Sequence, residues 1–143
     1  MNKNERFKSF MDITKETNEA YHRAAQHFGL SDSTFDILYF LDTEGSLTQK
    51  ELSVLMYSSK QTVHSAVQSM IQKGLVYFDG VRGREKTLAL TEEGLKLAHE
   101  TTHHVYLAEQ KAFNSFSTAD QIQIIALSTQ FVRKLNEEIE NLK

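Results

Sequence analysis

The sequence predicts a mainly helical fold with one small antiparallel β-hairpin, which is an α+β class. Three observations lead to this prediction. Residues 47–74 hold two short helical patterns joined by a tight turn, two short strand patterns follow directly, and longer helical patterns occupy both ends of the chain. At 143 residues the chain is expected to form one compact unit. We divide it into an N-terminal helix over 1–30, a central region over 31–91 and C-terminal helices over 92–143.

The first short helix is predicted to run from Thr48 to about Met56. Thr48 caps it, and Glu51 three residues later completes a capping box, in which two side chains satisfy backbone amides of the first turn. Its apolar residues share one face at i, i+3, i+4 spacing, namely Leu52, Leu55 and Met56.

The second short helix begins after Ser59, which is a good N-cap, and stops at Gly74, which suits the left-handed conformation that follows many helices. Two helices joined by a four-residue turn, residues 56–59, form a helix-turn-helix. The side of the second helix predicted to be buried consists of Val63, Val67, Met70 and Ile71.

The outward face of this second helix carries hydrogen-bonding side chains. No Asp or Glu occurs from Leu52 to Phe78, although the whole chain has a formal net charge of −3. A helix that enters a major groove must avoid carboxylates, because each would face phosphate charge, whereas a merely solvated helix usually mixes signs. We therefore predict a recognition helix that contacts double-stranded DNA through Ser59, Lys60, Gln61, Thr62, His64, Ser65 and Gln68.

A basic hairpin is predicted directly after this helix. Residues 75–78 and 87–90 have strand patterns, and Gly80 and Gly83 permit a tight reversal in the segment between them. A basic hairpin in this position is a wing, which we expect to reach phosphates or the minor groove. The cations near its tip are Arg82, Arg84 and Lys86.

The order of these segments resembles the MarR family of bacterial winged-helix regulators. The similarity lies in LTQKELSVLM, SKQTVHSAVQSMIQKGLV, the basic hairpin and LTEEG, and it extends to a long first helix over residues 4–28 and to two C-terminal helices. It implies a winged helix-turn-helix flanked by N- and C-terminal dimerisation helices. It also implies a cytoplasmic homodimer without cofactor or enzymatic activity, usually a transcriptional repressor, that binds a pseudo-palindromic operator.

The wing departs from the family pattern in one respect. Wings of this family usually carry an Asp-x-Arg pair just before the last strand. Here Arg84 holds the Arg place, but Arg82 stands where the Asp is expected, and the hairpin is shorter than usual. The resemblance therefore does not extend to the usual ion pair within the wing.

The C-terminal part is predicted to form two helices. Thr91 caps the first, which is expected to continue unbroken to about Phe113. Ser117 or Thr118 caps the second, and Gln121 is expected to close a capping box on Thr118.

The last helix carries an apolar arc wider than one small domain can easily cover. We interpret this arc as a homodimer interface shared with the first helix, the alternative being a helix of an intramolecular bundle. The residues expected at the interface are Phe7, Met11, Val132, Leu135, Ile139 and Leu142.

The sequence His99-Glu-Thr-Thr-His103 matches H-E-x-x-H, a pattern in which two histidines bind zinc and the glutamate acts as a base. No third ligand or substrate cleft is evident around it, so a metallopeptidase is the lesser alternative. A branch of the MarR family senses zinc near this helix, so a zinc-responsive regulator is the stronger of the two alternatives. Its candidate ligands are His99, Glu100, His103 and His104. Our main prediction is that the chain binds no metal.

The aromatic residues Tyr21, Phe35, Tyr39 and Tyr106 could line an effector pocket. Many members of the family bind phenolic or other aromatic effectors between the dimerisation helices and the winged helix, so the resemblance implies a small aromatic ligand. Aromatic residues at helical spacing are also typical of a plain hydrophobic core.

Composition excludes several classes of function. The chain contains no cysteine, which removes disulfides, thiolate metal ligands and cysteine-based sensing. No apolar run approaches the length of a membrane span, and the N-terminus lacks the apolar core of a signal peptide. A third interpretation, a winged helix that binds only other proteins, stays open at this stage.

Overall fold

The computed structural model describes residues 1–142. Within them the contacts divide the chain into two units, residues 1–105 and the residues from Tyr106 onward, and each unit is described by itself. The helices and strands are α1 Lys3–His27, α2 Asp32–Glu44, β1 Leu47–Thr48, α3 Gln49–Met56, α4 Lys60–Gln72, β2 Val76–Arg82, β3 Glu85–Leu90, α5 Glu92–Glu100, α6 Thr102–Asn114 and α7 Thr118–Glu140.

The first unit has one hydrophobic core between its short helices and the sheet. Leu52 of α3, Val63 and Val67 of α4 and Leu88 of β3 are completely buried, and α2 contributes Ile37. These residues recur at helical spacing on α3 and α4 and at one face of the strand, so a single core fixes the position of the helix-turn-helix against the wing.

The caps of the helix-turn-helix agree with the sequence prediction. Thr48 and Glu51 form the expected capping box, with the Glu51 amide 3.1 Å from Thr48 Oγ1. Ser59 caps α4 by accepting a hydrogen bond from the Thr62 amide. Between the two helices, Tyr57 takes a left-handed conformation with φ of 50° and closes α3.

The sheet has the order β1-β3-β2, and both pairings are antiparallel. The strands of the wing are longer than the sequence predicted, because Gly80 does not reverse the chain. The register skips between Phe78 and Gly80, which leaves Asp79 in a β-bulge. The reversal is made by Gly83 and Arg84 alone, and Gly83 has a φ of 64° that a side chain would disfavour.

The prediction of one unbroken helix after Thr91 is wrong. The helix breaks at Thr101, whose φ of −129° and ψ of −87° are not helical, and α6 begins at Thr102. The buried Thr101 donates its hydroxyl to the Leu97 carbonyl, 2.6 Å away, which offers the backbone a partner outside the helical pattern.

The last helix begins as predicted, with one correction. Ser117 caps α7 by accepting from the Asp120 amide. Gln121 does not close a box on Thr118; its Nε2 lies 3.2 Å from the carbonyl oxygens of both Phe113 and Phe116, where it caps the end of the preceding helix instead. Among residues 1–142, no helix is both long and apolar enough to cross a membrane.

Candidate nucleic-acid interface

The outward face of α4 is fully available to a partner. Every residue that the sequence predicted to contact DNA from this helix or its cap is exposed. On the opposite side Val63 and Val67 are completely buried and Met70 is 1% exposed. The helix α4 therefore has one apolar face, which packs against the core, and one polar face, which is directed toward solvent.

An open cleft of about 540 Å³ lies between α4 and the wing. Lys60, Gln61 and His64 line it from α4, and Phe78 and Lys86 line it from the wing. Lys86 lies over the Phe78 ring at 5.0 Å from its centroid, so a cation–π contact holds this ammonium group at the side of the cleft.

Three further residues of this cleft, Gln49, Lys50 and the acidic Glu85 of the wing, were missed by the sequence interpretation. Gln49 and Lys50 begin α3, and only Glu51 separates them from the acid-free segment. Nδ1 of His64 lies 3.1 Å from Oε1 of Gln49, a contact in which the ring N–H donates. The pair links α3 to α4 at the cleft and orients the His64 ring.

A second groove, of about 600 Å³, runs along the other side of α4. It is rich in hydroxyl groups, and it was also missed because its α2 residues are far from α4 in sequence. Gln61 lines both this groove and the cleft beside the wing, so it lies on the ridge between them. The remaining residues that line the groove are Ser31, Ser33, Thr34, Ser59, Thr62, Ser65, Ala66, Ser69 and Lys73.

The three predicted wing cations have different surroundings. Arg84 lies in the turn and is exposed, and Lys86 lies beside Phe78. Arg82 instead crosses to α3, where its Nη1 donates to both carboxylate oxygens of Glu51, at 2.6 Å from Oε2, and its Nη2 lies 3.1 Å from the Ser46 carbonyl. This ion pair joins the wing to α3.

The acids that border the acid-free segment are both engaged. Partial burial acts to raise the pKa of Glu51, but hydrogen bonds from the Thr48 amide and from Arg82 outweigh it, so the pKa lies below its ordinary value. Hydrogen bonds from the hydroxyls of Ser46 and Thr87 lower the pKa of Asp79. Both carboxylates are therefore ionised at neutral pH and are held by partners within the protein.

The histidine cluster takes a different geometry from the one its motif suggested. Because the helix breaks at Thr101, His99 belongs to α5 and His103 to α6, and their rings stack with centroids 4.9 Å apart. Nδ1 of His103 lies 3.6 Å from Asp42. His104 stacks instead on Phe28, with centroids 6.4 Å apart. In the part of the chain that the structure describes, no three His, Asp or Glu side chains are placed to hold one metal ion.

The predicted pocket aromatics lie in different environments. Phe35 is only 3% exposed and belongs to the buried core, with its ring stacked on Tyr39 at 6.2 Å. Tyr21 lies on α1 and is partly exposed. In the second unit, the Tyr106 hydroxyl accepts a hydrogen bond of 3.0 Å from Gln110.

The residues predicted at a dimer interface are exposed in the single chain. Within α7 no residue is buried, although it presents several large apolar side chains. The predicted residues keep the following exposures: Phe7 62%, Met11 39%, Val132 54%, Leu135 43%, Ile139 52% and Leu142 76%.

Comparison with known proteins agrees with this architecture. Residues 28–85 match the model of the MarR family. The chain is 28% identical over 123 residues to the uncharacterized HTH-type transcriptional regulator YwoH of Bacillus subtilis (strain 168), an alignment that covers 85% of this chain and 87% of YwoH.

Solved structures share the fold. NMB1585, a MarR family regulator from Neisseria meningitidis, is similar with a TM-score of 0.81 and 23% identity, and the match covers 100% of both chains. MepR of S. aureus in its complex with DNA is similar with a TM-score of 0.65 and 22% identity, covering 88% of this chain and 94% of MepR.

Residues 28–85, which hold the helix-turn-helix and most of the wing, thus match the MarR family of transcriptional regulators, and the fold of the chain is that of solved MarR family structures. The predicted similarity to this family and the predicted fold class are confirmed. The match to a family of transcriptional regulators, and not to a family of peptidases, favours DNA binding over the metallopeptidase alternative.

Proposed function

We propose that this protein is a homodimeric, sequence-specific transcriptional regulator in which the exposed face of α4 reads the major groove. Support comes above all from the exposed and acid-free face of α4. One side of this face borders the cleft lined by Lys50, Lys60, Lys86 and one acid, Glu85, and the other side borders the hydroxyl-rich groove. Lysine can reach guanine or phosphate, and glutamine can address adenine with two hydrogen bonds.

The direct base contacts are assigned to the N-terminal turn of α4. Gln61 is our main candidate, because its position on the ridge between the two grooves leaves its amide free to meet a base edge. Lys60, Thr62 and His64 flank it. Ser59, Ser65 and Gln68 continue the same face and are proposed to contact the backbone or neighbouring bases.

The wing is assigned to the sugar-phosphate backbone or the minor groove. Arg84 is the first candidate, since it lies at the turn and is exposed, and Lys86 supplies a second charge beside the cleft. Such contacts are mainly ionic and do not depend on sequence.

A second copy is proposed to cover the apolar side chains of α7 and of the first turns of α1. Exposed apolar side chains that lie together on a surface mark an interaction site, because soluble proteins rarely leave a large apolar patch in water. Two recognition helices would then enter successive major grooves, with half-sites about 10 base pairs apart.

We further infer that the protein is a repressor in the bacterial cytoplasm whose DNA affinity a small aromatic effector modulates. An effector can act only if it binds the two states of the dimer with different affinity. Tyr21, Tyr39 and Tyr106 remain the candidate contacts for such a ligand, whereas the burial of Phe35 assigns it to the core.

Selection from a random duplex library tests the proposal. Full-length protein should enrich an inverted repeat over successive rounds, with the two half-sites about one helical turn apart. Enrichment of a single unpaired half-site would contradict the homodimer. If no sequence is enriched at low salt, the proposed reading of DNA by α4 is wrong.

A further inference from the structure

The wing extends beyond the sheet that supports its base. β1 pairs with β3 only at Leu47–Leu88 and Thr48–Thr87, so the segment from Gly80 to Lys86 is a two-stranded ribbon whose residues are all exposed. A two-stranded hairpin is marginally stable by itself in water. Its angle to α4 therefore depends on contacts made by its side chains.

Two such contacts connect the wing to the segment that leads into α3. At the base of the wing, Asp79 accepts hydrogen bonds from the hydroxyls of Ser46 and Thr87, the latter at 2.6 Å. Next to the turn, Arg82 donates to Glu51 and to the Ser46 carbonyl. Ser46 takes part in both contacts, so one short segment holds the wing at two points.

Glu51 is a rigid partner for Arg82. It lies in the first turn of α3, and its Oε1 is 3.3 Å from the Thr48 amide in the capping box. A carboxylate held by a cap and by one guanidinium loses little further freedom on pairing, and the planar fork of arginine can contact Glu51 and Ser46 at the same time.

We propose that Arg82 is a positioning residue, and that its pairing with Glu51 sets the angle between the wing and the recognition helix. The pair would thereby place Arg84 and Lys86 against the DNA backbone before binding begins. This inference rests on the proposed function, since it assumes that the wing and α4 contact the same duplex. Arg82 itself then makes no phosphate contact, in contrast to its role in the prediction from sequence.

The charge of Glu51 makes the proposal sharply testable. A carboxylate close to the DNA-binding face repels phosphate, so long-range electrostatics alone would make Glu51→Gln bind DNA more tightly. If Glu51 positions the wing, the same substitution should weaken binding by about two- to fivefold for each subunit, which is the usual worth of one exposed ion pair. Glutamine is also accepted at this place in a capping box, so α3 should keep its cap.

Arg82→Lys is the matched substitution on the other side of the pair. Lysine keeps the positive charge and any attraction to phosphate, but it cannot span Glu51 and Ser46 with one planar group. A phosphate contact would therefore tolerate it, whereas the proposed role predicts the same two- to fivefold weakening per subunit. The combined variant Glu51→Gln with Arg82→Lys should bind no more weakly than either single variant, because both changes break one interaction.

The experiment measures fluorescence anisotropy of full-length protein on the enriched duplex at several salt concentrations, together with amide hydrogen exchange of the wing without DNA. We expect both single variants to bind more weakly, to keep the salt slope of the unmodified protein, and to exchange the backbone amides of the ribbon from Gly80 to Lys86 faster. Circular dichroism should report an unchanged fold, since the pair is exposed.

Glu51→Gln binding that is unchanged or tighter, or a salt slope reduced by Arg82→Lys, would overturn the positioning role. If the unmodified protein bound no duplex, the proposed function would fail instead. Hydrogen exchange would then still decide whether the pair holds the wing, and unchanged exchange in both variants would reject it.

Discussion

Replacing Leu135 and Ile139 with Asp tests the proposed homodimer most severely. In the single chain these side chains are 43% and 52% exposed, so a partner could still bury about half of each. Full burial of a leucine or isoleucine side chain contributes roughly 1.5–3 kcal/mol, and the remaining half is therefore worth about 1 kcal/mol for each residue. Two residues in each of two subunits amount to about 4 kcal/mol, or roughly a thousandfold in the dissociation constant. Burying the new carboxylates would weaken the dimer further.

Sedimentation equilibrium at micromolar concentration measures the effect. The unmodified protein should have twice the mass of the chain, and the double variant should have the mass of one chain. Val54→Asp is a matched control, because Val54 is 66% exposed on α3 and lies outside the proposed interface, and this variant should remain a dimer. A monomeric unmodified protein, or a double variant that stays dimeric, would refute the reasoning.

Three further predictions concern stability and metal. Burial, reinforced by the charge of Asp32, raises the pKa of Asp36 to about 6. Because this folded-state pKa lies above the unfolded value, the fold loses stability progressively as the pH rises from about 4 to 6, and the loss is constant at higher pH. Asp36→Asn should thus raise the unfolding free energy at pH 8 by less than about 3 kcal/mol, since Asp36 is only partly buried and solvent screens its charge, and an equal gain at pH 4 would contradict this. Tyr57→Gly should stabilise the protein by about 0.5–1 kcal/mol in urea titrations, since Tyr57 is 98% exposed at a φ of 50°, and a decrease in stability would show that the side chain has a structural role. Protein purified without chelator should hold far less than one zinc per chain by atomic emission; near-stoichiometric zinc that disappears in His103→Ala would establish a metal site.

The features that sequence predicts well are those encoded by neighbouring residues. The Thr48–Glu51 capping box, the Ser59 cap and the stop at Gly74, whose φ is 71°, each depend on a few adjacent side chains with known backbone preferences. The burial of Val63 and Val67 follows from helical spacing alone. These features are sufficient to predict a helix-turn-helix and the exposed face of its second helix.

The features that sequence does not predict depend on distant contacts or on weak local signals. Arg82 and Glu51 are 31 residues apart, and neither spacing nor composition indicates that they pair. The break at Thr101 lacks a proline or glycine, and the apolar pattern continues through it, so a helical pattern alone predicts one long helix. Gly80 was expected to reverse the chain. Glycine is common both in turns and in β-bulges, so the sequence does not distinguish the two, and only the pairing of β2 with β3 shows that a bulge forms here.

The central claim, that α4 reads DNA while the wing supplies ionic contacts, is tested most directly by comparing Gln61→Ala with Arg84→Ala. Both variants are titrated against the enriched duplex and a scrambled duplex at several salt concentrations. Gln61→Ala should weaken binding by about 1–3 kcal/mol at the base pair that it reads and have little effect on scrambled DNA. Arg84→Ala should weaken both complexes alike and lower the salt slope by about one for each phosphate that a subunit no longer neutralises. If Gln61→Ala left the sequence preference intact while Arg84→Ala abolished it, the assigned roles would be reversed, and if neither change mattered, α4 would not read DNA.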